Sequence, residues 1–284
     1  MATLNIRTED FYDTSPSVDH VSGDIWRGLP TFGLLPSKLL PGIVVTPACD
    51  LSNSKTETIT YLPIMDVRSI ICGPPFRRYA LQGLREALDA ADLRLEFLEI
   101  DRRLLTYTRD EFNSLEIRVR EVGLNATKQT RILTAIEYVR LIVENDPKAL
   151  RAEHFGKHAQ RIMSNIARNA ERADLHFLPP DELIASRSLL SKPSCALLRY
   201  PITIPIDLLD AANDLRIGDW QAATNSLSDR YAAATAFIEQ PLKMLTLRGE
   251  FFSDLISRYL ALYLRLGSRD LSAKQIDRYV GQIV

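Results

Sequence analysis

The sequence predicts an α+β protein in which a small β-barrel carries a large helical insertion and is followed by a helical C-terminal region. Short β-rich runs separated by turn residues fill positions 23–64. Apolar residues at helical spacing then occupy most of 74–173, and extended character returns at 175–206. The rest of the chain, 207–284, reads as helical.

Composition limits the classes of partner. The 284 residues are 46% hydrophobic and 25% charged, with a formal net charge of −1, as in an ordinary soluble domain. Because the net charge is close to zero, any electrostatic attraction to nucleic acid must come from a local patch of basic residues. The polar N-terminus and the absence of a run of about 18 apolar residues predict a cytoplasmic protein without membrane partners.

The three cysteines predict neither a disulfide framework nor a metal site. Cys49, Cys72 and Cys195 are widely spaced, and no CxxC is present. No glycine-rich nucleotide motif occurs either. We therefore expect no metal and no cofactor.

The first elements follow a polar segment, 1–20, which we expect to be a mobile lead-in. Strands are predicted near 22–28, 42–48 and 58–65, where β-branched and aromatic residues alternate with turn residues. The paired prolines Pro74 and Pro75 end this block, because neither a strand interior nor a helix interior accommodates them.

Helices fill the next hundred residues. A capping box at Thr108–Glu111 opens one helix, and Asn125 caps another that presents a buried stripe. Asp146-Pro147 predicts the start of a further helical stretch to about 173. The stripe consists of Ile132, Ile136, Val139 and Ile142.

A return to extended structure completes the barrel. Residues 196–206 read as one strand, placed at an edge or a bulge by Pro201 and Pro205. Three strands before residue 72 cannot close a barrel, which needs about five. We therefore predict that 21–73 and 174–206 form the barrel and that 74–173 is an insertion. In 207–284, Phe252, Tyr259 and Tyr263 share an apolar helix face that predicts core packing.

The strand block resembles the PemK/MazF family of toxins, which are small SH3-like barrels. Gly23-Asp24-Ile25-Trp26 matches the family's opening, and 41–46 matches its second strand. Thr58 stands six residues before Ile64, at the spacing of the family's threonine. The resemblance covers 23–64.

This resemblance implies metal-independent RNA cleavage through the 2′-hydroxyl. Such chemistry needs a cation that stabilises the phosphorane and a hydroxyl that orients the scissile group. The chain keeps the hydroxyl as Thr58 but has Leu40 where the family has arginine, and its nearest cation is Lys38. We therefore take Lys38 and Thr58 as catalytic candidates, with Thr46 and Lys55 lining the same RNA-facing groove.

Other constellations are weaker. Cys49-Asp50 lacks a nearby histidine in sequence and favours a turn. His154 and His158 have metal-ligand spacing, but no HExxH motif surrounds them. Residues 128–172 contain nine basic and five acidic residues, a pattern compatible with an RNA-facing surface or with a solvated helical face.

Three functions remain open at this point. The first is a toxin-like or phage-defence-type module that engages RNA or a partner protein through the barrel. The second is a non-catalytic adaptor whose helices dock partner subunits. The third is an enzyme whose site is assembled from residues distant in sequence. Because the apolar stripe at 132–142 and the C-terminal helix supply more apolar surface than a small barrel can cover, we expect the helices to pack on each other, with any surplus forming a homo-oligomer interface.

Overall fold

The computed structural model describes residues 10–52, 55–94, 104–151, 153–155, 159–182, 188–214 and 219–264. Its centre is an eight-stranded sheet in which every pairing is antiparallel. The strands are β1 (Tyr12–Asp13), β2 (Asp24–Pro30), β3 (Leu39–Val44), β4 (Thr58–Asp66), β5 (Leu175–Leu178), β6 (Ser194–Leu197), β7 (Ile202–Pro205) and β8 (Leu242–Leu247).

The sheet is open, which corrects the predicted barrel. Its order is β1-β8-β2-β3-β4-β6-β5, with β7 pairing with β4 beside β6. β1 ends the sheet on one side, whereas β5 and β7 end it on the other, and no pairing joins β1 to either of them in the part of the chain that the structure describes. The sheet does not close, because β8 and β1 extend it beyond β2 instead of meeting the opposite edge.

The predicted strands nonetheless share one sheet. Residues 24–66 supply β2, β3 and β4, and β4 pairs with strands from 194–205, so this prediction is confirmed. The single strand predicted at 196–206 is two strands, because the chain turns at 198–201, where Pro201 has no N–H to donate to a ladder. β8 was missed, since the predicted C-terminal region was entirely helical.

Nine α-helices lie within the described residues. They are α1 (Ala48–Ser52), α2 (Val67–Ile71), α3 (Arg77–Asp89), α4 (Arg109–Glu121), α5 (Ala126–Glu144), α6 (Ala159–Ala167), α7 (Asp207–Asn213), α8 (Trp220–Ser228) and α9 (Gly249–Leu264). The Thr108 capping box and the Asn125 cap are present as predicted. The α5 stripe is fully buried.

The helix predicted from Asp146 to about 173 is wrong over its first part. The side chain of Asp146 accepts backbone hydrogen bonds from Lys148 and Ala149, but among the described residues the next α-helix is α6. Arg68 donates to the carbonyl oxygens of Pro147 (3.0 Å) and Leu150 (2.8 Å). This tertiary contact takes up carbonyls that a continuous helix would use for its own ladder.

Helices cover both faces of the sheet. On one face, Met65 and Cys195 belong to the apolar core that the helices from α2 to α6 form, while Tyr61 packs with α7. On the opposite face, Leu62 and Ile64 pack against Leu255 and its neighbours on α9. This alternation along β4 follows the two-residue period of a strand.

The segment before β2 is held by one buried ammonium group. Lys243 Nζ lies 3.1 Å from Asp24 Oδ2, and the two side chains are 4% and 0% exposed. The same ammonium donates to the carbonyl oxygens of Ser17, Val18 and Asp19. The residues just before β2 are therefore tied to β2 and β8.

Candidate functional site

The predicted catalytic pair is not brought together. In the β3–β4 ladder, Gly42 pairs with Pro63. Continuing this register places Lys38 level with Val67, nine residues along the chain from Thr58. At about 3.3 Å per residue the separation is roughly 30 Å, so the two side chains cannot flank one phosphate. The antiparallel order of β3 and β4 thus does not support their convergence, because it places the two residues towards opposite ends of the strand pair.

The other RNA-facing candidates lie at the Thr58 end. Thr46 is 7% exposed, and its hydroxyl oxygen accepts a hydrogen bond from the Thr60 N–H at 2.7 Å. Thr46 therefore holds β4 rather than facing a groove. Lys55 and Thr58 are both exposed near the start of β4, without Lys38 beside them.

The structure describes one histidine of the pair, His154, whose ring is already engaged by neighbouring residues. His154 Nδ1 accepts from the Arg151 N–H at 3.0 Å, so the proton lies on Nε2, which faces Glu137 Oε2 at 3.3 Å. Both ring nitrogens are thus engaged, and His158 lies outside the described residues. No group of three or more metal-ligating side chains occurs in the described ranges.

Cys49 and Asp50 lie on the short helix α1. The Cys49 thiol is exposed and donates to the Asp50 carboxylate at 3.5 Å. The backbone carbonyl of Asp50 accepts from the Lys55 N–H. The turn predicted from Asp50 is therefore wrong for residues 50–52, which are helical, and Asn53 lies outside the described residues.

A cleft of about 660 Å³ lies between α3 and α5 and is closed by residues 153–155 and α6. The two helices run antiparallel, because Tyr79 contacts Tyr138 while Asp92, just past the end of α3, pairs with Lys128 near the start of α5. The volume lies within the range of about 300–1,000 Å³ that is usual for small-molecule sites.

Aromatic rings form one end of the cleft. The Tyr138 ring lies 5.2 Å from Phe155 and 5.9 Å from His154, and its hydroxyl donates to the Ile71 carbonyl. Tyr138 and Phe155 are buried, whereas Tyr79 is only half-buried. Tyr79 is therefore the ring that a ligand can reach.

The surroundings of Tyr79 disfavour ionisation of its phenol. Burial raises the pKa of Tyr79, and the Glu171 and Glu86 carboxylates raise it further, while Arg161 acts in the opposite direction. The side chain therefore offers an uncharged ring face and a hydroxyl that donates or accepts at neutral pH.

Two arginines stand on the cleft wall. Arg131 and Arg161 are exposed, and neither forms a salt bridge with a residue that the structure describes. Two carboxylates, Glu86 and Glu153, also line the cleft, and Glu86 accepts from Gln82 at 2.9 Å. Within the described residues, both cations are thus open to an anionic ligand.

Sequence reasoning missed this cleft as a site. Its one signal was the basic excess of 128–172, which contains Arg131 and Arg161. Tyr79 belongs to a different helix and meets them only through the antiparallel packing of α3 on α5. No local motif marks that packing.

A second surface feature is the loop between β2 and β3. Phe32 has φ 50° and Gly33 has φ 75°, and the Leu34 N–H donates to the Thr31 carbonyl at 2.9 Å. These values describe a type I′ turn. Phe32 and Leu34 are 43% and 53% exposed, whereas Leu35 is buried and anchors the loop.

Comparison with family models finds no match, and comparisons with curated proteins and with solved structures find none either. Among the described helices, none combines the length and apolar character that crossing a bilayer requires.

Proposed function

We propose that this protein is an RNA-engaging module, of the toxin-like or phage-defence type that the PemK/MazF-like strand block implies, and that single-stranded RNA binds in the α3/α5 cleft. The observation that carries the proposal is the half-buried Tyr79 ring in a cleft with two arginines that form no salt bridges among the described residues. The proposed binding site is on the helices rather than on the sheet.

Stacking on an accessible ring suits unpaired bases. A base stacked on an aromatic side chain contributes about 1–3 kcal/mol and does so for any base. Arg131 and Arg161 supply the phosphate contacts that fix the strand along the groove. A ring beside cations is the arrangement found in single-strand binding sites.

Fluorescence anisotropy with a labelled single-stranded RNA tests the proposal. Arg131→Ala combined with Arg161→Ala should weaken binding at least tenfold and lower the salt slope by about 1.4, since each phosphate contact contributes about 0.7. Arg109→Ala is the control, because Arg109 is 76% exposed on α4, away from the cleft. Equal losses in both variants would contradict the proposal.

The separation of Lys38 from Thr58 favours binding without cleavage at these residues. If RNA incubated with chelator is cut, the cutting should survive Lys38→Ala. Loss of cutting in that variant, with RNA affinity unchanged, would instead support PemK/MazF-like cleavage that uses Lys38.

The turn at Phe32 and Leu34 favours a second function, that of an adaptor. Two exposed apolar side chains on an anchored turn offer a small surface to which a partner protein can bind. A photocrosslinking residue at position 34 should then capture a protein in cells, whereas one at Ile117 should not. Ile117 is a matched control because it is 52% exposed. Equal capture at both positions would reject the adaptor.

A further inference from the structure

We propose that the α3/α5 cleft accommodates one unpaired nucleotide, with its base lying flat over Gly83 and its phosphate at the Arg131 end. This inference rests on the proposed RNA binding and defines the ligand of the same site. It excludes a duplex as the ligand, since the faces of paired bases are covered by their stacked neighbours.

Gly83 is a glycine that the fold itself does not require. It lies inside α3, where glycine is among the poorest helix formers, and its φ is not in the left-handed region. A Cβ at this position would meet no atom within 4 Å. By contrast, a Cβ at Gly42 would lie 2.8 Å from the Tyr61 side chain, so packing explains that glycine.

Because Gly83 has no side chain, the α3 wall of the cleft is open at this position, which we call the floor of the cleft. Gly83 follows Tyr79 by one helical turn on the same face of α3. Because α5 runs antiparallel with Tyr138 beside Tyr79, the small residues Thr134 and Ala135 lie opposite Gly83. A flat ring can therefore rest there beside the Tyr79 ring.

The length of the cleft matches one nucleotide. Tyr79 and Glu86 are seven residues apart on α3, which is about 10 Å along a helix axis. Arg131 lies opposite Glu86 in the same antiparallel packing. A base at the aromatic end thus places its phosphate near the Arg131 guanidinium, while Arg161 stands close to Tyr79.

The test compares Gly83→Leu with Arg85→Leu in the full chain. Leucine is a good helix former, so neither change should lower the melting temperature. Gly83→Leu fills the floor and should weaken binding of a single-stranded RNA at least tenfold. Arg85→Leu, on an exposed part of α3 outside the cleft lining, should change it less than threefold. Gly83→Ala should give an intermediate loss.

The outcomes separate this inference from the proposed function. RNA binding that depends on Arg131 and Arg161 but is unchanged in Gly83→Leu overturns the base site and leaves RNA binding intact. Absence of RNA binding by the wild type overturns the proposed function. Titration with AMP and UMP then identifies the source of the nucleotide: binding of these alone, lost in Gly83→Leu, supports the site with a free nucleotide as its ligand. No binding of RNA, AMP or UMP overturns the site.

Discussion

One aromatic residue, Phe32, occupies a backbone conformation that suits other residue types. Its φ of 50° at the first central position of a type I′ turn favours Asn, Asp or Gly. A bulky residue there is strained by about 1–3 kcal/mol. This turn could not be predicted from the sequence, because Phe-Gly is not among the residue pairs that usually form two-residue hairpin turns.

Replacing this residue should therefore stabilise the protein. Phe32→Asn is expected to raise the free energy of unfolding by about 1 kcal/mol, because asparagine tolerates the left-handed region and the 43% exposed ring loses little burial. Urea denaturation measures the change. Phe32→Val should instead lower stability, and a decrease in both variants would refute the strain.

A second residue, His176, makes stability depend on pH. Burial lowers its pKa from 6.5 to about 4; Asp254, whose carboxylate is 3.8 Å from Nδ1, acts against this shift, and Arg258 adds to it. The unfolded chain therefore binds more protons than the folded protein between pH 6.5 and 4. Stability is fully present above pH 6.5 and is lost as pH falls towards 4.

The loss between pH 7 and pH 5 should be about 2 kcal/mol from this group. His176→Gln removes the titrating ring, so its stability should fall less over the same interval. Urea denaturation of both proteins at the two pH values measures how much unfolding free energy each one loses, and the two losses are then compared. An identical pH dependence would mean that His176 is not titrating between its folded and unfolded states.

At the scale of single elements, local signals predicted helix starts well. Thr108 accepts from the Glu111 N–H, and Glu111 Oε2 accepts from the Thr108 N–H at 2.6 Å, as the capping-box pattern predicts. The helix prediction failed for the residues after Asp146, because their conformation depends on hydrogen bonds from Arg68, which is distant in sequence. A helix cap can be recognised from four consecutive residues of the sequence, whereas a contact between residues that are distant in sequence cannot.

The cap should contribute measurably to stability. Thr108→Ala is expected to lower the free energy of unfolding by about 1 kcal/mol, because it removes the side-chain acceptor for an N-terminal N–H of α4. Ser114→Ala is the control on the same helix: among the described residues its hydroxyl donates only to the Asp110 carbonyl, so the change should be near zero. Thermal unfolding of the two variants distinguishes cap loss from a general effect on α4.

At the scale of the whole molecule, the sequence predicted the shared sheet but not its open form. β8 lies next to β2, although more than two hundred residues separate them along the chain. Its alternation in Leu242–Leu247 is short and was masked by the helical pattern around it. The candidate site had the same limitation, because Tyr79, Arg131 and Arg161 meet only when α3, α5 and α6 pack.

The central claim is that single-stranded RNA lies in the α3/α5 cleft. Ultraviolet crosslinking of the full chain to a single-stranded RNA, with mass spectrometry of the linked peptide, tests it most directly. We predict a crosslink at Tyr79 that Tyr79→Leu removes and excess unlabelled RNA competes away. Crosslinks confined to Lys55, Thr58 and the start of β4, with none on α3, α5 or α6, would contradict it.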